Sequence, residues 1–203
     1  MTIHTFGDSH SRTDDIAGWK YCDNVISHWL GAILCYSFGR DKLQRCDISK
    51  EEYNVKDGDT VVFCFGEIDC RCHIHKYITQ DKTYQMIINE IVDKYENAIK
   101  INIDNCKVDL KNVCIYNVVP TVQKYNTFEN PEYPYLGTDE ERKNYVLYFN
   151  ECLKEKCQKN NWIFIDIYKY YADNNGFLNK FLSDGSVHIR DGTYLKEFVN
   201  TNL

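Results

Sequence analysis

Ile3-His4-Thr5-Phe6-Gly7-Asp8-Ser9-His10 is the stretch on which the reading of the chain turns. Thr2–Phe6 has the character of a short buried strand, and the chain then turns sharply through a glycine. A helical pattern is predicted to follow, which sets the Ser9 hydroxyl at the carboxyl edge of a strand. Unpaired helical amides lie near such an edge and can hold an anion. Read locally, a serine at this place is a helix cap. Read chemically, it is a hydroxyl on display that needs a base to take its proton.

Working outward, Thr60–Phe65 (TVVFCF) is apolar throughout, as a strand covered on both faces would be. Asn112–Val119 and Trp162–Ile167 read as two further strands, and Leu34–Phe38 as a weaker fifth. Tyr84, Ile87, Ile88, Ile91, Val92, Tyr95 and Ile99 recur at three and four, predicting a long amphipathic helix. Thr138-Asp-Glu-Glu141 is a capping-box pattern that opens a second long helix carrying Tyr145, Phe149, Cys152 and Leu153. Helices are also predicted around Val25–Ile33 and near Thr193–Thr201. Strands alternating with helices imply a parallel sheet covered on both faces. With no repeat, linker or low-complexity tract, residues 1–203 read as one domain.

Composition narrows the function classes. A chain of 203 residues that is 43% hydrophobic and 14% aromatic can bury a core and is not disordered. Its net charge of −6 repels phosphate backbones, which argues against nucleic acid as a partner. No run approaches the roughly 18 apolar residues of a membrane span, and no signal peptide precedes Ile3. The ten cysteines include Cys35, Cys64 and Cys114 within apolar runs, where a thiol behaves as a small hydrophobe. The expectation is free thiols in a reducing, cytoplasmic compartment. All three prolines fall in Pro120–Gly137, with Tyr125, Phe128, Tyr133 and Tyr135. A long aromatic loop at the carboxyl end of a strand is where open α/β sheets bind ligands.

The base that Ser9 needs is offered near the carboxyl terminus. Asp184 and His188 lie four apart in Leu182-Ser-Asp-Gly-Ser-Val-His-Ile189, just before the last helix. A short turn can let the carboxylate fix the imidazole tautomer while the other ring nitrogen faces the serine. Cys70-Arg-Cys-His-Ile-His75 suggests a metal, but four donors within six residues and no second cluster do not converge on one ion, so no metal is expected.

In combination these blocks resemble the SGNH (GDSL-type) hydrolase superfamily. The resemblance rests on Gly7-Asp8-Ser9 after strand 1, Gly39 after the second strand, Gly66-Glu67-Ile68-Asp69 after the third, and the Asp184/His188 pair. It spans nearly the whole chain. It implies a three-layer α/β/α, flavodoxin-like fold around a mostly parallel five-stranded sheet. It further implies Ser9 as nucleophile within the Asp8–His10 loop, His188 as general base and Asp184 as its orienting partner. The amides of Ser9 and Gly39 would be oxyanion donors. Two positions depart from the pattern. Ile68 stands where the family has an asparagine donor, and the Asp-to-His spacing is one residue longer than usual. Phe65-Gly-Glu-Ile-Asp-Cys-Arg-Cys-His73 looks like a branch of the superfamily with GEIDCRxH in this block, associated with polysaccharide and glycan modification. Gly66, Glu67, Asp69, Arg71 and His73 are therefore candidate oxyanion or substrate residues. Arg71 would supply the missing positive end, or else would form an ion pair with Glu67 or Asp69 that braces the loop.

The function implied is acyl transfer, acetyl above all, through a Ser9 acyl-enzyme on a sugar, sugar nucleotide or glycan. Transfer to a sugar makes an acetyltransferase and transfer to water an acetylesterase, with the transferase favoured by the branch resemblance. No tightly bound cofactor is expected, with acetyl-CoA as the acyl-donor cosubstrate, and the protein would cooperate with, or be fused to, glycan-building enzymes. The reading from another class is a glycan-binding module that keeps the fold without catalysis, motivated by Ile68 and the stretched Asp–His spacing.

Overall fold

The computed structural model describes residues 1–127 and 129–203, so Phe128 lies outside the described residues. Five parallel strands form the centre: β1 (Ile3–Gly7), β2 (Val25–Trp29), β3 (Thr60–Cys64), β4 (Asn112–Tyr116) and β5 (Ile163–Ile165), in the order β2-β1-β3-β4-β5. The helices are α1 (Cys35–Asp41), α2 (Tyr84–Cys106), α3 (Asp139–Asn160), α4 (Tyr168–Tyr171) and α5 (Thr193–Asn202). This is the predicted three-layer architecture.

Alternation along β3 shows why its sequence is apolar on every residue. Val61 and Phe63 pack with Phe38, Tyr95 and Phe149 from α1, α2 and α3. Val62 and Cys64 face the other way, onto Trp19, Tyr171, Leu195 and Val199. With both faces covered, a polar residue at either would be buried without a partner. The long helices start as predicted. The Thr138 hydroxyl accepts the Glu141 amide at 3.2 Å, and the Glu141 carboxylate accepts the Thr138 amide at 2.7 Å. All ten cysteines are buried and free. No helix among the described residues is long and apolar enough to cross a membrane.

The region between β1 and β3 differs from the prediction. Val25–Ile33 is not a helix: Val25–Trp29 is the strand β2, at the edge of the sheet, with Ile26 and Trp29 exposed. Leu34–Phe38 is not a strand: Cys35 opens α1, and Cys35 and Phe38 fall one helical turn apart on its buried side. An edge strand of five residues with one face in water carries little apolar signal. The amide partners of α1 come from Asp69, 34 residues away, so local sequence does not announce its start.

This relocates Gly39. It sits inside α1 against α2, where a Cβ would meet the Lys94 Cβ at 2.9 Å and the Lys94 and Tyr95 backbone at 3.1 Å. Gly39 is thus a helix-packing glycine, and its amide belongs to the helix and not to an oxyanion site. Gly39→Ala is expected to destabilise the fold by about 1–3 kcal/mol through overpacking. Thermal melting should show a drop of a few degrees, while Ser9 reactivity in the folded protein stays unchanged.

Candidate active site

The end of β1 is pressed against β3. A Cβ on Gly7 would lie 2.0 Å from the Cys64 carbonyl oxygen, so only glycine lets the strand turn here. The Asp8 amide donates to that carbonyl at 3.2 Å. A single helical turn, Ser9–Ser11, follows, and its cap is Asp8, whose carboxylate accepts the His10 amide at 2.9 Å. Ser9 is therefore not the cap. It is half-buried between the buried residues Asp8 and His10, and its amide, first in the turn, has no partner within it.

Across the same edge comes the turn before α5. Asp184 Oδ1 accepts the amides of Ser186 (2.8 Å) and His188 (3.2 Å), and the Asp184 amide donates to the His188 carbonyl at 3.1 Å. This small loop absorbs the additional residue between the pair. Asp184 Oδ2 then lies 2.8 Å from His188 Nδ1, and His188 Nε2 lies 2.8 Å from Ser9 Oγ. An ionised carboxylate only accepts, so Nδ1 carries the proton and Nε2 presents its lone pair to the serine hydroxyl. Burial pushes the Asp184 carboxyl up. The hydrogen bond and charge of His188, with the two amides, outweigh this and hold it below the usual carboxylate range. Ser9, His188 and Asp184, 179 residues apart at the extremes, thus form one hydrogen-bonded line.

The loop after β3 is placed differently from its predicted role. Asp69 is fully buried and caps α1, with Oδ2 accepting the Cys35 amide at 2.6 Å and Oδ1 the Tyr36 amide at 3.0 Å. Burial pushes its carboxyl up to about 7 despite those donors. Arg71 donates to Glu67 Oε2 at 3.0 Å and to the Tyr133 carbonyl at 3.2 Å, and its own carbonyl accepts the Leu136 amide at 3.1 Å. Its guanidinium also lies 5.4 Å from the Tyr135 ring. Arg71 and Glu67 accordingly brace the Pro120–Gly137 loop, and the guanidinium is not free to replace the missing asparagine. Asp69, Glu67 and Arg71 are structural in this arrangement. Gly66, at φ 120°, packs against Val118 and Phe149. Ile68 is buried. His73 lies between Tyr36 and Tyr77, its ring centre 4.8 Å from each and tilted to both, and His75 pairs with the Tyr145 hydroxyl at 3.0 Å. Among the described residues no group of three or more metal-ligating side chains is assembled.

Because β1 lies between β2 and β3, the loops after those two strands flank Ser9 at the sheet edge. A cleft of about 210 Å³ opens between these loops, lined by Ala32, Ile68, His73, Lys76, Glu132 and Tyr133, among others; Ser9, Asp184 and His188 are not part of its lining. Its walls mix apolar and charged groups. The glycine that follows β2 at this edge is Gly31, next to Leu30, whose amide donates to the Gly7 carbonyl at 2.9 Å. Gly31 carries no sequence signal of this place, because the pattern of Val25–Ile33 is that of a helix and β2 is set by its pairing with β1. Tyr133 and Glu132 were inside the aromatic loop, but what ties them to the site is Arg71.

No protein-family model and no curated protein matches the chain. Solved structures do. A GDSL-like lipase from Bacteroides thetaiotaomicron is 11% identical with a TM-score of 0.63, over 98% of this chain and 86% of that one. A member of the lipolytic G-D-S-L family from Veillonella parvula is 17% identical with a TM-score of 0.60, over 100% and 98%. An acetylxylan esterase from Geobacillus stearothermophilus is 11% identical with a TM-score of 0.52, over 98% and 92%. At these identities the shared property is the fold, which is that of the SGNH (GDSL-type) hydrolases.

Proposed function

We propose that the protein is a serine-dependent acyl-handling enzyme that forms a Ser9 acyl-enzyme and moves an acetyl group on a carbohydrate. The observation that carries this is the line from Ser9 Oγ through His188 to Asp184, with both hydrogen bonds at 2.8 Å. His188 Nε2 takes the Ser9 proton as Oγ attacks the acyl carbonyl. The oxyanion so formed lies beside the Ser9 amide, with the Gly31 amide at the end of the neighbouring strand as the second donor in place of Gly39. His188 then hands its proton to the departing alcohol or thiol. The acceptor, water or a sugar hydroxyl or amine, loses a proton to His188 and attacks the acyl carbonyl, and as the acyl–Oγ bond breaks His188 returns that proton to Ser9 Oγ.

The carbohydrate is taken from the resemblance of Phe65–His73 to a glycan-modifying branch of the superfamily. The cleft beside that loop carries Lys76, Glu132 and His73, groups able to hydrogen-bond sugar hydroxyls, although Ser9, His188 and Asp184 do not line it. An acetylxylan esterase is among the fold neighbours. Acceptor choice is read directly by mass spectrometry on two mixtures, acetylated sugars alone and acetyl-CoA with amino- or deoxysugar nucleotides. Acetylated sugar product identifies a transferase and free acetate alone an esterase. Turnover of neither mixture would overturn the proposal.

A further inference from the structure

Directly behind the Ser9–His188 pair lies a second histidine that the chemistry above does not use. His10 is buried, and its ring centre is 5.0 Å from that of His188. Its Nε2 lies 3.2 Å from the Val187 carbonyl, and its Nδ1 lies 3.0 Å from Asp8 Oδ1. A carbonyl can only accept, so Nε2 carries a hydrogen. The other contact is to a carboxylate, which holds one more proton between Nδ1 and Oδ1. Resting on the Ser9–His188–Asp184 reading, we propose that His10 is a positioning residue: a doubly donating imidazolium that clamps the backbone at Val187 to Asp8 and so sets His188 over Ser9.

The geometry makes the clamp specific. Val187 precedes His188, so the ring that holds the Val187 carbonyl fixes the peptide from which His188 projects. The same Asp8 carboxylate that receives Nδ1 also caps the Ser9 turn through the His10 amide. One carboxylate therefore registers both partners of the Ser9–His188 hydrogen bond against each other, 179 residues apart in sequence. Among the described residues, the side-chain hydrogen bonds of Asp8 run through Oδ1 to the His10 amide and ring.

The clamp depends on the second proton. Burial drives the imidazole down, but the charge and hydrogen bond of Asp8, with Glu67 and the Val187 carbonyl, more than offset this and raise its pKa. The charged and titratable groups facing it are Asp8 on its own turn, Glu67 and Cys64 from the β3 side, Tyr116 from β4, and His188. For a raised histidine the stabilisation is complete below the ordinary histidine value of roughly 6.5 and is lost as pH rises through the folded value. Once Nδ1 loses its hydrogen, two lone pairs face each other and the clamp loosens.

The test compares His10→Gln with His10→Asn by the rate of fluorophosphonate labelling of Ser9 against pH, alongside thermal melts. A glutamine amide reaches as far as Nε2 and can hold Val187 without titrating. An asparagine amide reaches only as far as Nδ1 and leaves Val187 free. The wild type is expected to lose labelling rate on an alkaline limb. His10→Gln should keep the rate within about threefold and lose that limb, and His10→Asn should be slower by 10- to 100-fold at every pH. Proton-detected NMR of the wild-type imidazole should find both ring nitrogens of His10 protonated at neutral pH, which a variant's folding cannot obscure. Equal labelling rates in both variants, or a neutral His10 ring, would overturn the clamp while leaving the Ser9 reading in place. Absence of labelling in the wild type would remove both.

Discussion

Ser9→Ala is expected to abolish fluorophosphonate labelling and to lower acyl turnover by about 10⁴- to 10⁶-fold, the range seen when a serine nucleophile is removed from a hydrogen-bonded triad. The melting temperature should hardly move. The reason lies in how the turn is built. Its cap is Asp8, which accepts the His10 amide, and β1 is anchored by the pairing of Gly7 and Asp8 with Cys64. The Ser9 hydroxyl contributes to neither; its partner is His188. Deleting it removes one half-buried hydrogen bond, worth about 1 kcal/mol or less to the fold. A helix-capping serine would give the opposite signature, a stability loss with chemistry intact. Labelling that persists in Ser9→Ala would mean another nucleophile.

Ser9 was not legible from its own turn, where a serine reads as a helix cap; it became legible in combination with the distant Asp184/His188 pair, whose residue types and order supply the base a serine needs. Local pattern did suffice for the strand and glycine that deliver it. The same holds for α2 and α3, where apolar spacing and the Thr138–Glu141 box suffice. The region from Val25 to Gly39 failed for a physical reason. β2 is an exposed edge strand, and α1 starts on a carboxylate from Asp69, so both are specified by contacts that local pattern cannot carry. Gly39 was misplaced with them. Arg71 was half legible: its helical spacing from Glu67 announces the ion pair, while its bond to the Tyr133 carbonyl, 62 residues on, does not. The His10 clamp was invisible, because Val187 reaches it only after the sheet has formed.

Asp184→Asn is expected to lower kcat by about 10³- to 10⁴-fold with KM little changed, although the substitution exchanges only one heavy atom. The two oxygens of Asp184 do separate jobs. Oδ1 accepts the Ser186 and His188 amides and shapes the turn, a role an asparagine carbonyl oxygen keeps. Oδ2 accepts from His188 Nδ1, and an asparagine amide there can only donate. His188 must then present a lone pair at Nδ1 and carry its hydrogen on Nε2, facing Ser9 with nothing to accept the hydroxyl proton. The fold survives while the base is in the wrong tautomer. The pH dependence separates the two jobs further. A carboxyl held below its ordinary value of roughly 3.9 stabilises the turn fully above that pH and loses the contribution as pH falls through the lower folded value. The wild-type turn should accordingly hold its His188 down to about pH 4, and Asp184→Asn should remove this acid-side stabilisation without restoring turnover at any higher pH where the fold persists. A kcat within tenfold of the wild type would show that Asp184 serves the turn alone and that His188 finds its tautomer by other means.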